Sequence, residues 1–596
     1  MSEAGGATTL LDYLERAGRL SEGGLRFVDR NENATWFGWA EVRDRALGVA
    51  AGLLALGIEN GDRVALVYPT GIEFFEAFFG TILAGAVPVP LYPPVRLGRM
   101  SEYLRRTARM IELSGARLVL ADRRIRRILG EAVAEARPAL GCRELGELPA
   151  ASGGPGRVAR LGEVAPSDLA LVQFSSGTTV DPKPVALSHR AIVAQSEALN
   201  GFWPDTPERK HSCVSWLPLY HDMGLIGCVL PALSRDATLT LLGPELFVTR
   251  PALWLRALSR YRGTISPAPN FAYALCVQRV TDAEMEGVDL SAWETALNGA
   301  EAVAPEVLRT FVSRFARWGF RQEALTPVYG LSEAALAVTF SDLGRPFQSR
   351  RFSRDELARG GVAREAPDGR EIVSVGRPLP GFALSLRDDA GREVPEGRIG
   401  RVWIQGPSLM DGYLGDPEAT ARAFRDGWLD TGDLGFLYGG ELYLTGRAKD
   451  LIILRGRNHS PEEIERAVEG IPGVRAGCVV AASWLPEGAA GETLALFVEA
   501  SRGATAEQRA ALPDACRAAV LGATGLPLDR VEVLAPGTLP RTSSGKLRRG
   551  ETLRLYLTGS LLPPDPVNPL RLAGMMARSG LAYARLRWEK RSGTDG

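Results

Sequence analysis

Apolar runs of strand length alternate with amphipathic segments through about the first 340 residues, and this alternation constrains the fold more than any other feature. Residues 64–68, 86–91 and 117–121 have the composition of strands, and residues 72–84 have the pattern of a helix. A strand, a helix and a second strand in succession form the βαβ unit of a mostly parallel sheet covered by helices. The sequence therefore predicts an α/β fold.

The pattern changes near residue 372. Residues 382–386 and 401–405 are short alternating strands joined through glycine-containing turns, which predicts a small antiparallel unit. A separate α+β domain is predicted after residue 445, with strands and helices at 451–454, 461–468, 494–500, 506–521 and 531–534. We therefore divide the chain into residues 1–449, 450–560 and 561–596.

The third unit is a tail that follows the proline-rich linker Pro563-Pro564-Asp565-Pro566. Residues 569–591 predict a helix with six basic residues and one acidic residue. The apolar side chains that would share one face of this helix are Leu572, Met575, Met576, Ala582, Tyr583 and Leu586. Such a helix can make a peripheral contact with an anionic membrane or a partner protein, or it can pack back on its own domain. The sequence leaves both alternatives open.

Charge and cysteine content argue against several classes of protein. Lysine plus arginine and aspartate plus glutamate number 70 each, so the electrostatic footprint of a nucleic-acid-binding protein is absent. No uninterrupted apolar run reaches the ~18 residues typical of a membrane span, and residues 1–18 lack the basic start of a secretory signal. The six cysteines form no C-x-x-C pair, and the four histidines form no metal-spaced cluster. These features predict a cytoplasmic protein without a disulfide framework or a zinc site.

The strand predicted at residues 169–174 runs into a loop of small and hydroxyl-bearing residues that ends in a lysine. The candidate phosphate-binding residues of this loop are Ser175, Ser176, Gly177, Thr178, Thr179 and Lys183. Backbone N–H groups, hydroxyls and an ammonium in one loop can bind a polyphosphate, although a loop of this composition is more often only a loop. Only five of the 70 basic residues are lysines, and an ammonium is not interchangeable with a guanidinium at a phosphate.

Two later turns carry groups suited to a nucleotide base and a metal ion. Tyr329-Gly330-Leu331-Ser332-Glu333 combines an aromatic ring, a flexible turn, a hydroxyl and a carboxylate. These groups can stack on a base, contact a phosphate and hold Mg²⁺, which prefers oxygen ligands beside substrate phosphates. A buried tyrosine and a solvated glutamate would also explain this turn. Asn298-Gly299-Ala300-Glu301 is a second polar turn, which indicates little by itself.

Three more motifs follow. Trp428-Leu429-Asp430-Thr431-Gly432-Asp433 places two carboxylates around a glycine, and a carboxylate is a natural acceptor for a ribose diol. Gly446-Arg447-Ala448-Lys449-Asp450 lies where the chain enters the second domain. Leu539-Pro540-Arg541-Thr542-Ser543-Ser544-Gly545-Lys546 presents one ammonium on a loop.

Taken together and in this order, these motifs resemble those of the adenylate-forming superfamily, which contains acyl-CoA synthetases, nonribosomal peptide adenylation domains and luciferases. Within it, Ser266-Pro267-Ala268-Pro269-Asn270-Phe271-Ala272-Tyr273 and Arg455-Gly456-Arg457-Asn458-His459-Ser460-Pro461 are similar to segments of the fatty acyl-AMP ligases. The 42 residues between Glu333 and Gly376 look like the insertion of that group, here at about residues 341–370. Phe347, Phe352 and Leu357 are the expected anchors of this surface insertion.

Three positions depart from the family pattern. Val180 and Pro184 stand where glycines are usual, and Ser460 replaces a tyrosine. A proline removes one N–H donor from the phosphate loop and fixes its own φ. These departures bear on efficiency more than on family membership.

The resemblance implies a large N-terminal domain of two βαβ-type sheets with a small β-barrel-like subdomain, followed by a small mobile α+β domain. It also implies ATP and Mg²⁺ as cofactors and assigns roles to individual positions. By that resemblance, Thr178 and Lys183 hold the β- and γ-phosphates, Ser332 contacts the α-phosphate and Glu333 binds Mg²⁺. Tyr329, Gly299 and Ala300 enclose adenine, and Asn298 and Gly330 are further nucleotide-binding positions. Asp433 takes the ribose with Arg447 nearby, and Lys546 bridges the substrate carboxylate and the α-phosphate. His221 lines the acyl entrance, and Lys449 is the hinge. A core histidine with satisfied hydrogen bonds remains the alternative for His221.

The implied activity is ATP-dependent conversion of a fatty acid to an acyl-adenylate, with transfer to the phosphopantetheine thiol of a separate holo acyl carrier protein. No carrier-protein motif is present in the sequence, so the acceptor would be another protein. Two alternatives remain: an acyl-CoA synthetase that uses free CoA, and a non-catalytic adenylate-binding scaffold docked through its basic tail.

Overall fold

The computed structural model describes most of the chain, and every structural statement below concerns the described residues. These are residues 7–19, 22–94, 97–150, 164–175, 182–206, 210–454, 457–486, 492–542, 545–565 and 568–592.

Residues up to 150 form one parallel sheet and the edge of a second. Their helices and strands are α1 (Leu10–Ala17), β1 (Gly24–Val28), β2 (Ala34–Gly38), α2 (Trp39–Ala55), β3 (Arg63–Val67), α3 (Ile72–Leu83), β4 (Val87–Pro90), α4 (Met100–Ser114), β5 (Leu118–Ala121), α5 (Arg123–Arg126), α6 (Gly130–Ala136) and β6 (Cys142–Arg143). The first sheet has the order β4-β3-β5-β6 with every pair parallel. The βαβ unit predicted at residues 64–91 is present, with α3 as its crossover helix.

Residues 164–340 form most of the second, larger sheet. Their elements are β7 (Leu169–Phe174), β8 (Pro184–Ser188), α7 (His189–Asn200), β9 (Cys213–Ser215), α8 (Asp222–Gly224), α9 (Leu230–Ser234), β10 (Thr238–Leu242), α10 (Pro244–Thr249), α11 (Ala252–Arg260), β11 (Ile265–Ala268), α12 (Asn270–Arg279), β12 (Thr295–Asn298), α13 (Pro305–Phe315), β13 (Leu325–Gly330) and β14 (Ala337–Phe340). Strands β13-β12-β11-β9-β10-β1 are parallel neighbours in that order. The carboxyl ends of parallel strands meet at one edge of a sheet, where ligands bind in folds of this class.

Residues 341–447 contain a hairpin and an antiparallel sheet. The elements are β15 (Ser349–Phe352), α14 (Arg354–Gly360), β16 (Arg370–Val373), β17 (Arg377–Pro378), β18 (Ala383–Arg387), β19 (Gly400–Gln405), β20 (Gly412–Tyr413), α15 (Pro417–Ala423), β21 (Phe424–Arg425), β22 (Trp428–Tyr438) and β23 (Glu441–Arg447). Strands β18-β19-β22-β21, with β23 on β22, form the small barrel-like unit that was expected. Strand β20 instead pairs with β8, the strand that follows the predicted phosphate-binding loop.

The rest of the chain forms a small α+β domain and a final helix. The elements are β24 (Ile452–Leu454), β25 (Arg457–His459), α16 (Pro461–Arg466), β26 (Val474–Trp484), β27 (Thr493–Ala500), α17 (Ala506–Thr524), β28 (Arg530–Leu534), α18 (Arg549–Leu557) and α19 (Pro569–Ser592). The sheet β26-β27-β28 has its own apolar clusters on both faces. We call the part from 450 to 560 the lid domain. The predicted α/β class, with a large N-terminal part and a small C-terminal α+β part, is confirmed.

Helix α19 packs back on α6 in the N-terminal part of the chain. Met575, Tyr583 and Leu586 join the apolar cluster of the first sheet, and Tyr583 Oη donates to the carbonyl oxygen of Arg126 at 3.2 Å. The Gly130 N–H donates to Ser579 Oγ at 2.8 Å. Three of the six apolar residues identified in the sequence are therefore covered by this protein itself, whereas Met576 is exposed. A membrane or partner contact through the remaining surface of α19 stays a prediction. No helix within the described ranges is both long enough and apolar enough to span a bilayer.

We expect Gly130→Ala to loosen α19, because a Cβ at residue 130 would overlap the backbone oxygen of Ser579. Overpacking of this kind costs about 1–3 kcal/mol. Limited trypsinolysis should then cut after Arg571 and Arg578 several-fold faster than in the wild type. Gly580→Ala is the matched control, since a Cβ at residue 580 meets no atom within 4 Å. Equal protection of the two variants would contradict this account of the contact.

Candidate active site

A cavity of about 1970 Å³ lies between the N-terminal part of the chain and the lid domain. It brings together residues from most of the motifs singled out in the sequence, although none of the described residues 457–461 lines it. The predicted site residues that line it are Ser175, Lys183, His221, Gly299, Ala300, Tyr329, Gly330, Ser332, Glu333, Asp433, Arg447, Lys449 and Lys546. Four predicted phosphate-loop residues, Ser176, Gly177, Thr178 and Thr179, and the departure at Val180 lie outside the described residues. The positions that do line the cavity are far apart in the sequence, so the fold assembles them.

Asp433 is the centre of a hydrogen-bonded group on strand β22. Its carboxylate accepts a hydrogen bond from Tyr329 Oη at 2.7 Å and lies 3.0 Å from Arg447 Nε. The pairing of β22 with β23 places Asp433 directly opposite Arg447. Burial, followed by the charge of Asp433, raises the pKa of Tyr329, so its hydroxyl is a hydrogen-bond donor. The arrangement leaves a fixed carboxylate that can accept hydrogen bonds from a diol.

Glu333 and Lys183 meet at Tyr413, a residue that the sequence reasoning did not identify. Tyr413 Oη donates to Glu333 Oε1 at 3.0 Å, and Lys183 Nζ lies 4.4 Å from the centre of the Tyr413 ring. Burial, and then the Glu333 carboxylate, raises the pKa of Tyr413. An ammonium and a carboxylate therefore face the same end of the cavity.

Asp222 is a second site residue that the sequence reasoning missed, although it follows His221 directly. It accepts a hydrogen bond from Ser332 Oγ, and its Oδ1 lies 2.5 Å from His221 Nδ1. Burial alone would raise the pKa of Asp222, but His221, Ser332 and Lys546 outweigh it and lower that pKa. Asp222 is thus an ionised carboxylate that orients Ser332 and attracts the Lys546 ammonium.

Lys546 is brought into the cavity by a turn of the lid domain. The Thr542 N–H donates to the Lys546 carbonyl at 2.8 Å, and the Lys546 N–H donates to Thr542 Oγ1 at 3.1 Å, which fixes this turn. Burial lowers the pKa of Lys546, and the charge of Asp222 partly offsets that effect. Lys449, at the junction between the two parts of the chain, also has a lowered pKa because of burial and the nearby Arg447.

The turn after β12 forms another wall of the cavity. Ala300 has φ of +68°, which is uncommon for a residue with a side chain and turns the backbone at this point. Glu301 accepts from the Phe271 N–H at 2.6 Å, and burial raises its pKa. Asn298 is fully buried beside this turn rather than on the cavity surface, and its Nδ2 donates to Asn270 Oδ1 at 3.3 Å.

Gly330 is required by close packing at the end of β13. A Cβ at this position would overlap the carbonyl oxygen of Leu336, which itself accepts a hydrogen bond from the Leu331 N–H at 2.7 Å. Any other residue would push the turn that carries Ser332 and Glu333 out of place. The flexible turn predicted here is therefore a tightly packed one.

Beyond these polar groups the cavity continues along the larger sheet and becomes apolar. Its lining there includes Leu199, Trp203, Ile265, Leu297, Val328 and Phe340. Trp203 is held by a hydrogen bond from its Nε1 to Thr295 Oγ1 at 3.0 Å. Ile265 and Pro267 of β11 line this part of the cavity, and Asn270 lines it at the start of α12. The apolar part of the lining fits an apolar chain.

The segment 341–370 contacts the lid domain. Phe352 and Leu357 anchor it in an apolar cluster with Phe436, and Phe347 packs at the edge of the main core. Across to the lid, Arg354 Nε lies 2.9 Å from Glu463 Oε1. Further contacts join Arg457 Nη1 to Asp355 Oδ1 at 3.1 Å and Arg370 Nη2 to Ser460 Oγ at 3.3 Å. The serine that departs from the family pattern thus accepts a hydrogen bond from this segment.

Comparison with known proteins agrees with this geometry. Residues 16–414 match the family described as AMP-binding enzyme. A Caulobacter vibrioides protein named as an acyl-CoA synthetase is 37% identical over 562 residues, which cover 93% of this chain and 96% of that protein. The medium-chain-fatty-acid–[acyl-carrier-protein] ligase JamA of Moorena producens is 30% identical over 577 residues, which cover 93% and 96% of the two chains.

A solved structure from work on fatty acyl-adenylate ligases of E. coli and L. pneumophila superposes with a TM-score of 0.86 at 35% identity, covering 92% of this chain and 98% of that one. The resemblance inferred from the motifs is therefore confirmed, and the chain belongs to the AMP-binding, adenylate-forming enzymes.

Proposed function

We propose that this protein activates a fatty acid with ATP to give an acyl-adenylate and pyrophosphate, and then transfers the acyl group to the phosphopantetheine thiol of an acyl carrier protein. The observation that carries the proposal is the cavity itself. Lys546 of the lid domain enters it near Asp222 and Asp433, Glu333 lines the same cavity, and another part of the lining is apolar. Groups suited to a nucleotide and a lining suited to an apolar chain thus share one cavity.

The polar residues fit the parts of ATP in order. Asp433, held by Tyr329 and Arg447, accepts the ribose hydroxyls. Ser332 and Lys546 lie near Asp222 and contact the α-phosphate, whereas Lys183 contacts the β- and γ-phosphates. The turn at Gly299 and Ala300 encloses adenine. Thr178 stays a predicted phosphate ligand on the strength of the family resemblance.

The first half-reaction is a displacement at phosphorus. An oxygen of the fatty carboxylate forms a bond to the α-phosphorus, and the bond from that phosphorus to the bridging oxygen of pyrophosphate breaks. Lys546 neutralises the carboxylate and the α-phosphate as they approach, so two anions can come together in one site. Positioning and charge neutralisation supply most of the rate in transfers of this kind.

Glu333 fits a role in holding Mg²⁺. Magnesium usually takes one or two carboxylates and fills its remaining positions with phosphate oxygens and water. Glu333 offers one such carboxylate at the end of the cavity that Lys183 also faces. Among the described residues no three or more His, Cys, Asp and Glu side chains cluster in a way that could hold a metal ion. When bound, Mg²⁺ would neutralise charge on the departing pyrophosphate.

His221 and Lys449 have proposed roles at the two ends of the catalytic cycle. His221 lines the cavity together with Asp222 and Met223, and the family resemblance assigns it to the acyl entrance. Lys449 lies at the junction of the N-terminal part and the lid domain, where the lid would rotate between the half-reactions. A hinge needs only a few residues to absorb such a change in φ and ψ.

The second part of the proposal concerns the molecule that accepts the acyl group. The name of JamA and the likeness to solved fatty acyl-adenylate ligases support a carrier protein. The name of the Caulobacter relative supports free CoA as the second candidate. Incubation with ATP, a ladder of fatty acids and either CoA or a holo carrier protein separates them. We expect acyl-adenylate to persist with CoA and to be consumed with the carrier protein; efficient formation of acyl-CoA would favour the second candidate.

A non-catalytic scaffold is the third candidate, and it belongs to a different class. Lys183, Glu333, Asp433 and Lys546 are all retained around one cavity, which a scaffold would not require. Fatty-acid-dependent release of pyrophosphate above background excludes this candidate. If no fatty acid of the series caused pyrophosphate release, the proposed function would be overturned.

A further inference from the structure

One short segment, residues 408–414, joins the phosphate-loop strand to the turn that carries Glu333. At its start, Ser408 Oγ donates to the Ala334 carbonyl at 2.9 Å and the Met410 N–H donates to the Glu333 carbonyl at 2.8 Å. At its end, β20 pairs with β8, and the Leu414 N–H donates to the Pro184 carbonyl at 2.8 Å. The backbone of this segment is therefore hydrogen-bonded both to the turn that carries Glu333 and to β8, which follows Lys183.

Tyr413 is the residue of this segment whose side chain contacts both functional groups. Its register opposite Val185 on β8 places it two residues from Lys183 along the neighbouring strand. Its hydroxyl reaches Glu333 and its ring lies against the Lys183 ammonium, at the distances given above. The Tyr413 N–H donates to Thr420 Oγ1 at 2.9 Å, and Gly412 has φ of +147°, so the backbone that aims the ring is fixed as well.

A tyrosine between a cation and an anion can stabilise both charges while preventing a direct ion pair between them. The face of an aromatic ring attracts an ammonium, and a hydroxyl donates to a carboxylate. If the ring were absent, Lys183 and Glu333 could approach each other and pair directly. Both charges would then be less available to a polyphosphate and its metal ion.

We propose that Tyr413 is a positioning residue that holds the Lys183 ammonium and the Glu333 carboxylate apart in a fixed geometry, so that both act on one magnesium-bound polyphosphate. The inference rests on the proposed roles of Lys183 and Glu333. It adds a residue to which the family motifs quoted above give no role. It also explains why β20 leaves the antiparallel sheet of its neighbours and joins β8.

Two substitutions separate the two contacts. Tyr413→Phe keeps the ring against Lys183 and removes only the hydroxyl from Glu333, whereas Tyr413→Leu removes both contacts. The matched control is Tyr556→Phe in the lid domain, because Tyr556 Oη also donates to a glutamate, Glu532, at 2.9 Å and lies outside the cavity. Loss of one hydrogen bond to a charged group corresponds to roughly 10-fold in an equilibrium constant.

The measurement is ATP affinity by calorimetry, in EDTA and in excess Mg²⁺, with the full-length protein. We expect Tyr413→Phe to bind ATP like the wild type in EDTA. In excess Mg²⁺ its affinity for ATP should be about 10-fold lower than that of the wild type. Tyr413→Leu should bind more weakly in both conditions, and Tyr556→Phe should match the wild type in both. Steady-state kinetics should show the same division, with Tyr413→Phe needing more Mg²⁺ for half of its maximal rate.

The outcomes that overturn the inference differ from those that overturn the proposed function. A wild type that neither binds ATP nor releases pyrophosphate removes the function and this inference with it. If Glu333→Gln loses the gain in ATP affinity that Mg²⁺ gives, while both Tyr413 variants keep that gain, the inference alone is overturned. Equal weakening of ATP binding by Tyr413→Phe in EDTA and in Mg²⁺ assigns Tyr413 a merely structural role and also removes the inference.

Discussion

Lys546→Ala should lower the rate of acyl-adenylate formation by about 10²-fold or more, the scale observed when one preorganised charge or donor is lost from a reaction centre. In the proposed mechanism, the ammonium lies where two anions, the fatty carboxylate and the α-phosphate, must meet. Without it, their repulsion is no longer offset at the moment of bond formation. The measurement is fatty-acid-dependent pyrophosphate release under single-turnover conditions.

The second half-reaction is the internal control for Lys546→Ala. Transfer from a supplied acyl-adenylate to a holo carrier protein should be affected much less, because no α-phosphate has to be attacked. Lys210→Ala is the matched surface variant, since Lys210 is exposed, pairs with Glu22 and is not part of the cavity lining. Equal losses in both half-reactions would contradict the role assigned to Lys546.

The pH dependence of adenylation provides a second test of the role of Lys546. Burial lowers the pKa of Lys546 below its ordinary value of 10.5, and the active form is the protonated one. The kcat/KM for adenylation, which reports the free enzyme, should therefore fall as the pH rises through a value below 10.5. This alkaline limb should be absent from the residual activity of Lys546→Ala.

Much of the fold could be predicted because its signals are local. The run at residues 64–91 has the length, the β-branched residues and the helical periodicity of a βαβ unit, and the structure contains strand, helix and strand there. The proline at 461 and the acids after it marked the start of α16 for similar local reasons. Elements such as these depend on few contacts beyond their own residues.

The candidate site could be predicted only where a motif carried its own signal. Lys183, Glu333, Asp433 and Lys546 stand in recognisable runs, whereas Tyr413 stands in a short strand whose partner is more than 200 residues away in the sequence. Asp222 was adjacent to His221, but its importance comes from Ser332, 110 residues later. Pairings of this length are set by tertiary packing, which a single sequence does not reveal. The two residues that were missed are therefore the ones that join motifs together.

Asp433→Asn should raise the KM for ATP by about 10²-fold, because it removes the charge that we propose receives the ribose and loosens the residues that hold it. Hydrogen bonds to a charged group contribute about 1.5–3 kcal/mol, which corresponds to roughly 10–10²-fold in affinity. The change also weakens the contacts of Tyr329 Oη and Arg447 Nε, which lie 2.7 Å and 3.0 Å from this carboxylate. The measurement is pyrophosphate exchange as a function of ATP concentration.

Asp388→Asn provides the control for this second prediction, because it makes the same change in the same antiparallel sheet, just beyond the end of β18. Asp388 accepts from Arg392 Nε at 2.9 Å, and neither residue lines the cavity. We expect Asp388→Asn to leave the KM for ATP within a few-fold of the wild type. A comparison with 2′-deoxy-ATP sharpens the result: the wild type should bind it more weakly than ATP, whereas Asp433→Asn should no longer distinguish the two nucleotides. If Asp433→Asn keeps the full preference for ATP, the ribose is recognised elsewhere in the cavity.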